Sequence, residues 1–145
     1  MKKKLCIYSS ILLLIDLVTK YLSIGKKITI IPNFLYIDYL KNRGIAFSMF
    51  QGSRYIIIII SIIAIYYLFK TLDKKYLYLY SLILGGILGN LFDRIFHGYV
   101  IDFISVKIFN WYAPIFNFAD ICITIGAILL IIFMFIGDKN GNNSK

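Results

Sequence analysis

The sequence predicts a membrane all-α fold: a four-transmembrane-helix bundle with a small extracytoplasmic β-sheet and an interfacial segment. Three observations lead there. The chain has 145 residues, 60% of them hydrophobic, and a mean hydropathy of +0.80. That is more apolar surface than a soluble domain of this size buries. Apolar runs near bilayer length recur four times. The 16 basic residues stand at the ends of those runs and form no stripe, so the net charge of +9 suits lipid headgroups and topology signals, not nucleic acid. A chain this long makes one domain, residues 1–145.

The first span is expected at about 5–24, directly after Lys2-Lys3-Lys4. It imitates a secretory signal, but Asp16 and Lys20 interrupt the run and no small-residue cleavage site follows, so it reads as an uncleaved span. Residues 25–53 exceed a tight turn, and the stretch from Ile28 to Leu40 is rich in β-branched and aromatic residues. Short strands lying on the membrane surface are expected there. The second span, about 54–69, is short; the third covers about 76–96. Residues 97–116 carry Tyr99, Phe103, Phe109, Trp111 and Tyr112, which suit the aromatic belt of a membrane interface. The fourth span covers about 117–136, and Gly137 to Lys145 read as a disordered tail. Cys6 and Cys122 fall near opposite ends of their spans, so they read as packed thiols beyond disulfide reach.

Lys2, Lys3 and Lys4, with Lys70, Lys74 and Lys75 in a compact loop, favour cytoplasmic termini, although the basic residues divide equally between the two sides. With that threading, Asp16, Lys20, Asn42, Asn90, Asp93, Arg94, Asp102, Asn117 and Asp120 all collect at the extracytoplasmic face. Inverting the threading would still leave them on one face. Ionisable groups at a membrane edge are costly and need a reason.

Each motif also has a plain structural explanation. Asp16 and Lys20, four apart, make a favourable helical ion pair that neutralises two buried charges. Asn42 and Gly44 suit a turn, or Asn42 can hold a substrate carbonyl. Gly85, Gly86 and Gly89 permit close helix packing. Asp93 near a helix C-terminus opposes the helix dipole and calls for a cationic or donor partner. Arg94 can clamp substrate or meet a lipid headgroup. Asn117 can cap the fourth span, leaving Asp120 in a favourable first turn, and Asp102 can be a solvated loop charge. His97 is the single histidine and reads as a polar rim residue. No serine elbow or His-Glu-x-x-His helix occurs, so two aspartates sharing one proton are the best-equipped pair for activating water.

Taken together, Asp16-x-x-Thr-Lys20, Asn42-x-Gly-x-Ala-Phe47, Gly89-Asn-x-x-Asp-Arg94, Val100-x-Asp-Phe103 and Phe116-Asn-x-Ala-Asp120 resemble lipoprotein signal peptidase, the type II signal peptidase of bacteria. The resemblance spans nearly the whole chain. It implies an aspartyl endopeptidase of the cytoplasmic membrane that cuts diacylglyceryl-modified prolipoproteins before the lipidated cysteine, without metal or organic cofactor. It assigns the catalytic dyad to Asp102 and Asp120. Asn42, Gly44, Asn90, Arg94 and Asn117 then line the site, with Asp16, Lys20 and Asp93 as structural support. It further implies an external sheet that cradles substrate and inhibition by globomycin-type peptides. Membrane lipids are expected neighbours, and one copy carries every motif, which favours a monomer. Two other classes remain open on the residues alone: a four-span transporter relaying protons through its acids, and an inactive relative that only binds lipoproteins.

Overall fold

The computed structural model describes residues 1–44 and 54–142, the last six of these as backbone only. Ala46 and Phe47 of the Asn42 motif lie outside the described residues. In chain order the elements are α1 (Lys2–Ser23), β1 (Lys27–Ile31), β2 (Leu35–Asn42), α2 (Arg54–Lys70), α3 (Leu77–Phe96), β3 (Val100–Ile108), β4 (Trp111–Tyr112) and α4 (Phe118–Asn142). A 3₁₀ turn over Lys74–Tyr76 leads into α3.

Among the described residues, three helical stretches are long and apolar enough to cross a membrane: Lys2–Ser23, Lys74–Phe96 and Phe118–Ile136. Helix α2 has 17 residues, a length of about 25 Å, just short of a bilayer core. Helix α1 begins earlier than expected because Lys2, Lys3 and Lys4 join its first turn, and lysine is a good helix former. The disordered tail expected from Gly137 is corrected as far as Asn142. There α4 continues, since extending a formed helix costs far less than starting one.

Helix α3 is the hub, packed against α1 and α4 along much of its length and against α2 more lightly. Its small residues make this possible. A methyl on Gly86 would sit 2.5 Å from the Ala119 carbonyl oxygen of α4, so a side chain there would prise the helices apart. Near the end of the bundle away from the sheet, Leu5, Leu68, Leu77, Tyr80 and Leu84 form a buried core cluster. The outer surfaces are apolar as well: Ile11, Leu14, Val18, Ile59, Ile63 and Ile128 are all about half exposed or more. A helix whose outward residues are isoleucine and leucine has lipid as its solvent.

The strands form one antiparallel sheet in the order β1-β2-β3-β4. The expected strands within residues 25–53 are present as β1 and β2. What the sequence reading left as an interfacial segment is also strand: β3 pairs with β2, Ile37 opposite Ile104 and Asn42 opposite Val100. Alternation in β3 is hidden because its first four residues are all buried, so it reads as a continuous apolar run. The cysteines are both free; Cys122 is buried, whereas Cys6 is exposed on the outer surface of α1, not packed as expected.

Candidate active site

Five elements converge at one end of the bundle. Strand β3 contributes Asp102, the end of β2 contributes Asn42, α3 contributes Asn90 and Arg94, α1 contributes Lys20, and the start of α4 contributes Asn117 and Asp120. Asp102 and Asp120 are both bonded to Asn117. Its side-chain Nδ2 donates to Asp102 Oδ1 at 2.6 Å, and its backbone N–H donates to Asp120 Oδ2 at 3.1 Å. Asn42 Nδ2 donates to the second Asp102 oxygen at 2.8 Å, and Asn90 Nδ2 to the second Asp120 oxygen at 2.7 Å. All four carboxyl oxygens therefore accept from amide N–H groups.

Each amide is held in the orientation that presents its NH₂. Lys20 Nζ, which can only donate, lies 3.0 Å from Asn90 Oδ1, and Asn117 Nδ2 donates to the same oxygen at 3.1 Å, so the Asn90 NH₂ is turned toward Asp120. Asn42 Oδ1 takes the Gly44 N–H at 2.9 Å, a local turn bond that leaves its NH₂ for Asp102. Asn117 Oδ1 takes the Asp120 N–H at 3.0 Å. That bond is the helix cap the sequence suggested, and it aims the Asn117 NH₂ at Asp102. Capping and site lining are one arrangement here, not alternatives.

Beneath this layer Lys20 bridges two carboxylates, Asp16 at 2.7 Å and Asp93 at 3.1 Å, with all three side chains about 1% exposed. Asp16 Oδ1 accepts the Ala119 N–H at 2.9 Å, and Asp93 Oδ2 accepts the Ile101 N–H at 3.0 Å. These are the residues immediately before Asp120 and Asp102. The buried triad thus grips the backbone just ahead of both site carboxylates. Asp93 has the cationic and donor partners its place in the helix calls for, and His97 Nδ1 lies 3.2 Å from its other oxygen. Gly89 belongs to the same layer: a methyl there would overlap Asp16 Oδ2 and lie 2.9 Å from its Cγ.

A cavity of about 350 Å³ opens beside the carboxylates, lined by Asn42, Asn90, Arg94, Asp102 and Asp120 among others. Arg94 is tied to the Asn90 carbonyl at 3.2 Å and to the Gly44 carbonyl at 3.4 Å, with its guanidinium still on the cavity wall. Phe116, which opens the Asp120 motif, lines the same cavity, and the sequence reading missed Pro114 and Ile115, and also Ile123 and Thr124, beside it. The last two are three and four residues beyond Asp120 and share its helical face, so periodicity could have found them. Nothing in the sequence marks Pro114 and Ile115. Burial raises the Asp102 pKa to about 6; the Asp120 charge adds to the rise, while Asn42, Asn117 and Lys20 pull it down. Among the described residues no group of His, Cys, Asp and Glu could hold a metal ion.

The fold and site define a helical membrane protein with two carboxylates facing one cavity at the end of its bundle. The chain belongs to the signal peptidase II family: the profile described as "Signal peptidase (SPase) II" matches residues 8–136. It is 44% identical over 115 residues to a lipoprotein signal peptidase of Caldicellulosiruptor bescii, covering 77% of this chain and 73% of that one. It is 37% identical over 135 residues to one from Listeria monocytogenes, covering 89% and 88%. A bacterial membrane enzyme solved at 2.3 Å by the in meso method superposes with a TM-score of 0.85 at 34% identity, covering 99% of this chain and 92% of that one. The chain is therefore a bacterial membrane peptidase that removes signal peptides from prolipoproteins, and the transporter alternative falls away.

Proposed function

We propose that Asp102 and Asp120 are the catalytic dyad of an aspartyl endopeptidase that cleaves prolipoproteins immediately before the diacylglyceryl-modified cysteine. The observation that carries this reading is the shared anchorage of both carboxylates on Asn117 beside one cavity. A water between them loses its proton to Asp120 as it attacks the scissile carbonyl. Asp102, whose burial favours the neutral form, holds the proton and polarises the carbonyl oxygen. A carboxyl oxygen that carries a proton keeps a lone pair for its amide donor, so the Asn42 and Asn117 bonds survive protonation. The tetrahedral gem-diol collapses as a dyad proton passes to the departing cysteine nitrogen. Asn42 and Arg94 position the peptide backbone and the lipid headgroup, and the acyl chains stay in the bilayer beside α3 and α4.

In this reading α2 also spans, in a slightly thinned bilayer. Both termini are cytoplasmic, following Lys2, Lys3 and Lys4, and the dyad faces the extracytoplasmic side. One copy suffices. The test is cleavage of a diacylglyceryl-modified precursor by purified enzyme in detergent. Asp102→Asn and Asp120→Asn should insert normally and cleave nothing, while globomycin blocks the parent enzyme. Full processing by either variant would sink the dyad assignment.

A further inference from the structure

The turn from α3 into β3 is wound around one buried side chain. The Asp93 backbone carbonyl takes the His97 and Gly98 N–H groups at 2.8 and 3.2 Å, and Gly98, at φ 79°, ends the helix. The chain then returns past Asp93, and the Ile101 N–H reaches Asp93 Oδ2 at 3.0 Å. The same oxygen receives Lys20 at 3.1 Å. Among the described residues, the other oxygen, Oδ1, has a single bonding partner: His97 Nδ1 at 3.2 Å.

A histidine that merely decorates the rim would turn freely in water. His97 does not. Its side chain is 43% exposed, but the ring lies between two aromatic neighbours. Tyr99 stacks on it, with centroids 5.9 Å apart and planes 29° apart, and Phe92 meets it edge-on at 6.4 Å. Tyr99 is held in turn by Lys41 of β2, whose ammonium lies 5.1 Å over its ring. The imidazole is thus set in a fixed plane with Nδ1 directed at a carboxylate that is 1% exposed.

We propose that His97 is a positioning residue for the reaction: its Nδ1–H donates to Asp93 Oδ1 and locks the carboxylate in the orientation that keeps Oδ2 on the Ile101 N–H, immediately before Asp102. The reason is torsional. The last torsion of an aspartate is soft and roughly two-fold, so an Asp93 anchored through Oδ2 alone can swing. A buried carboxyl oxygen without a donor is costly. With His97 gone, Oδ1 is satisfied by turning toward Lys20, already 3.1 Å from Oδ2, at the expense of the Ile101 bond. The backbone ahead of Asp102 then loosens, and its carboxyl shifts against Asn42 and Asn117. His97 touches no reacting atom; it acts through Asp93 and the start of β3. The effect on turnover rests on the reading of Asp102 as a catalytic carboxylate, whereas the bond and its tautomer do not.

Two variants separate the donor from the ring. His97→Phe keeps an aromatic ring between Phe92 and Tyr99 and removes the donor. His97→Asn gives up the ring and keeps an N–H donor near the Nδ1 position. Both are assayed on a diacylglyceryl-modified precursor in detergent, well below their unfolding temperatures. His97→Phe should lose roughly 10-fold in kcat, short of the ~10²-fold of full misplacement, with KM near the parent value. His97→Asn should recover most of that turnover even if its Tm is the lower of the two. A packing role alone predicts the reverse order, so parental kcat in His97→Phe, or an equal loss in both variants, would overturn the proposal. His97 is the single histidine, so the full chain, freed of any tag and labelled with ¹⁵N in the imidazole, gives one pair of ring-nitrogen signals. At alkaline pH Nδ1 should be the protonated nitrogen and Nε2 the bare one. The opposite tautomer would overturn the proposal with no assay of cleavage. Full activity in Asp102→Asn would instead sink the dyad and leave the tautomer result standing.

Discussion

Lys20→Met separates the two jobs assigned to the buried triad. Methionine keeps most of the side-chain length but removes the ammonium, leaving Asp16 and Asp93, each about 1% exposed, without their shared cation. Removing one partner of a buried pair costs about 3–5 kcal/mol. The Ala119 and Ile101 N–H groups still donate to these carboxylates, so the lower end, roughly 3 kcal/mol, is expected. For a chain of this size that is a fall in Tm of about 10 °C in detergent, read by a thermal scan at fixed rate. Turnover should suffer separately. Without Lys20 the Asn90 Oδ1 keeps one donor, Asn117 Nδ2 at 3.1 Å, so the amide is held less firmly toward Asp120, and misplacement at a reacting centre costs up to about 10²-fold in kcat. KM should barely move, because Arg94 and the cavity wall remain. Asp16→Asn is the companion: it keeps the Lys20–Asn90 bond, so folded yield and Tm should drop while kcat per folded enzyme stays near the parent value. A Lys20→Met enzyme with parental kcat, measured below its unfolding temperature, would refute the claim that Lys20 orients Asn90. An equal kcat loss in Asp16→Asn would refute it too.

Other expected outcomes follow from the same geometry. With Asp102 at about 6 in the folded chain against an ordinary 3.8, kcat/KM should decline as pH rises through about 6, where the free enzyme loses that proton. Asn42→Ala removes a donor that favours the charged form, so it should push this alkaline limb to higher pH. The stability sign is fixed likewise. The folded state holds the Asp102 proton longer than the unfolded one, so this contribution is fully present below pH 3.8 and lost as pH rises through about 6. Asp102→Asn should abolish that slope in a Tm–pH series. Gly89→Ala should lower folded yield sharply, because its methyl meets an Asp16 carboxylate pinned by Lys20 and the Ala119 N–H. In contrast Gly25→Ala, at φ 70° with nothing within 4 Å, should cost only about 1 kcal/mol of backbone strain.

Much of this architecture was legible before any coordinates. Apolar runs of bilayer length locate the helices because lipid leaves the backbone no other way to satisfy its N–H and C=O groups. Intramembrane charges are rare enough that Asp16, Lys20, Asp93, Arg94 and Asp120 stand out individually. The Asp16–Lys20 pair is readable because its partners are one helical turn apart. Strand β3 was not: its first residues are buried whichever way they point, so no alternation betrays them.

What only the tertiary structure decided is which donor each oxygen receives. Lys20 reaches Asn90 across 70 residues, and Asp16 takes the Ala119 N–H across 103. Neither separation has a local periodicity to announce it. Residue composition determined that this chain lives in lipid, and the positions of its polar residues along successive spans determined that they share one end of the bundle. Packing around glycine-rich α3 determined that Asp102 and Asp120 meet at Asn117, because helices must first close to backbone contact before side chains from five elements can exchange hydrogen bonds.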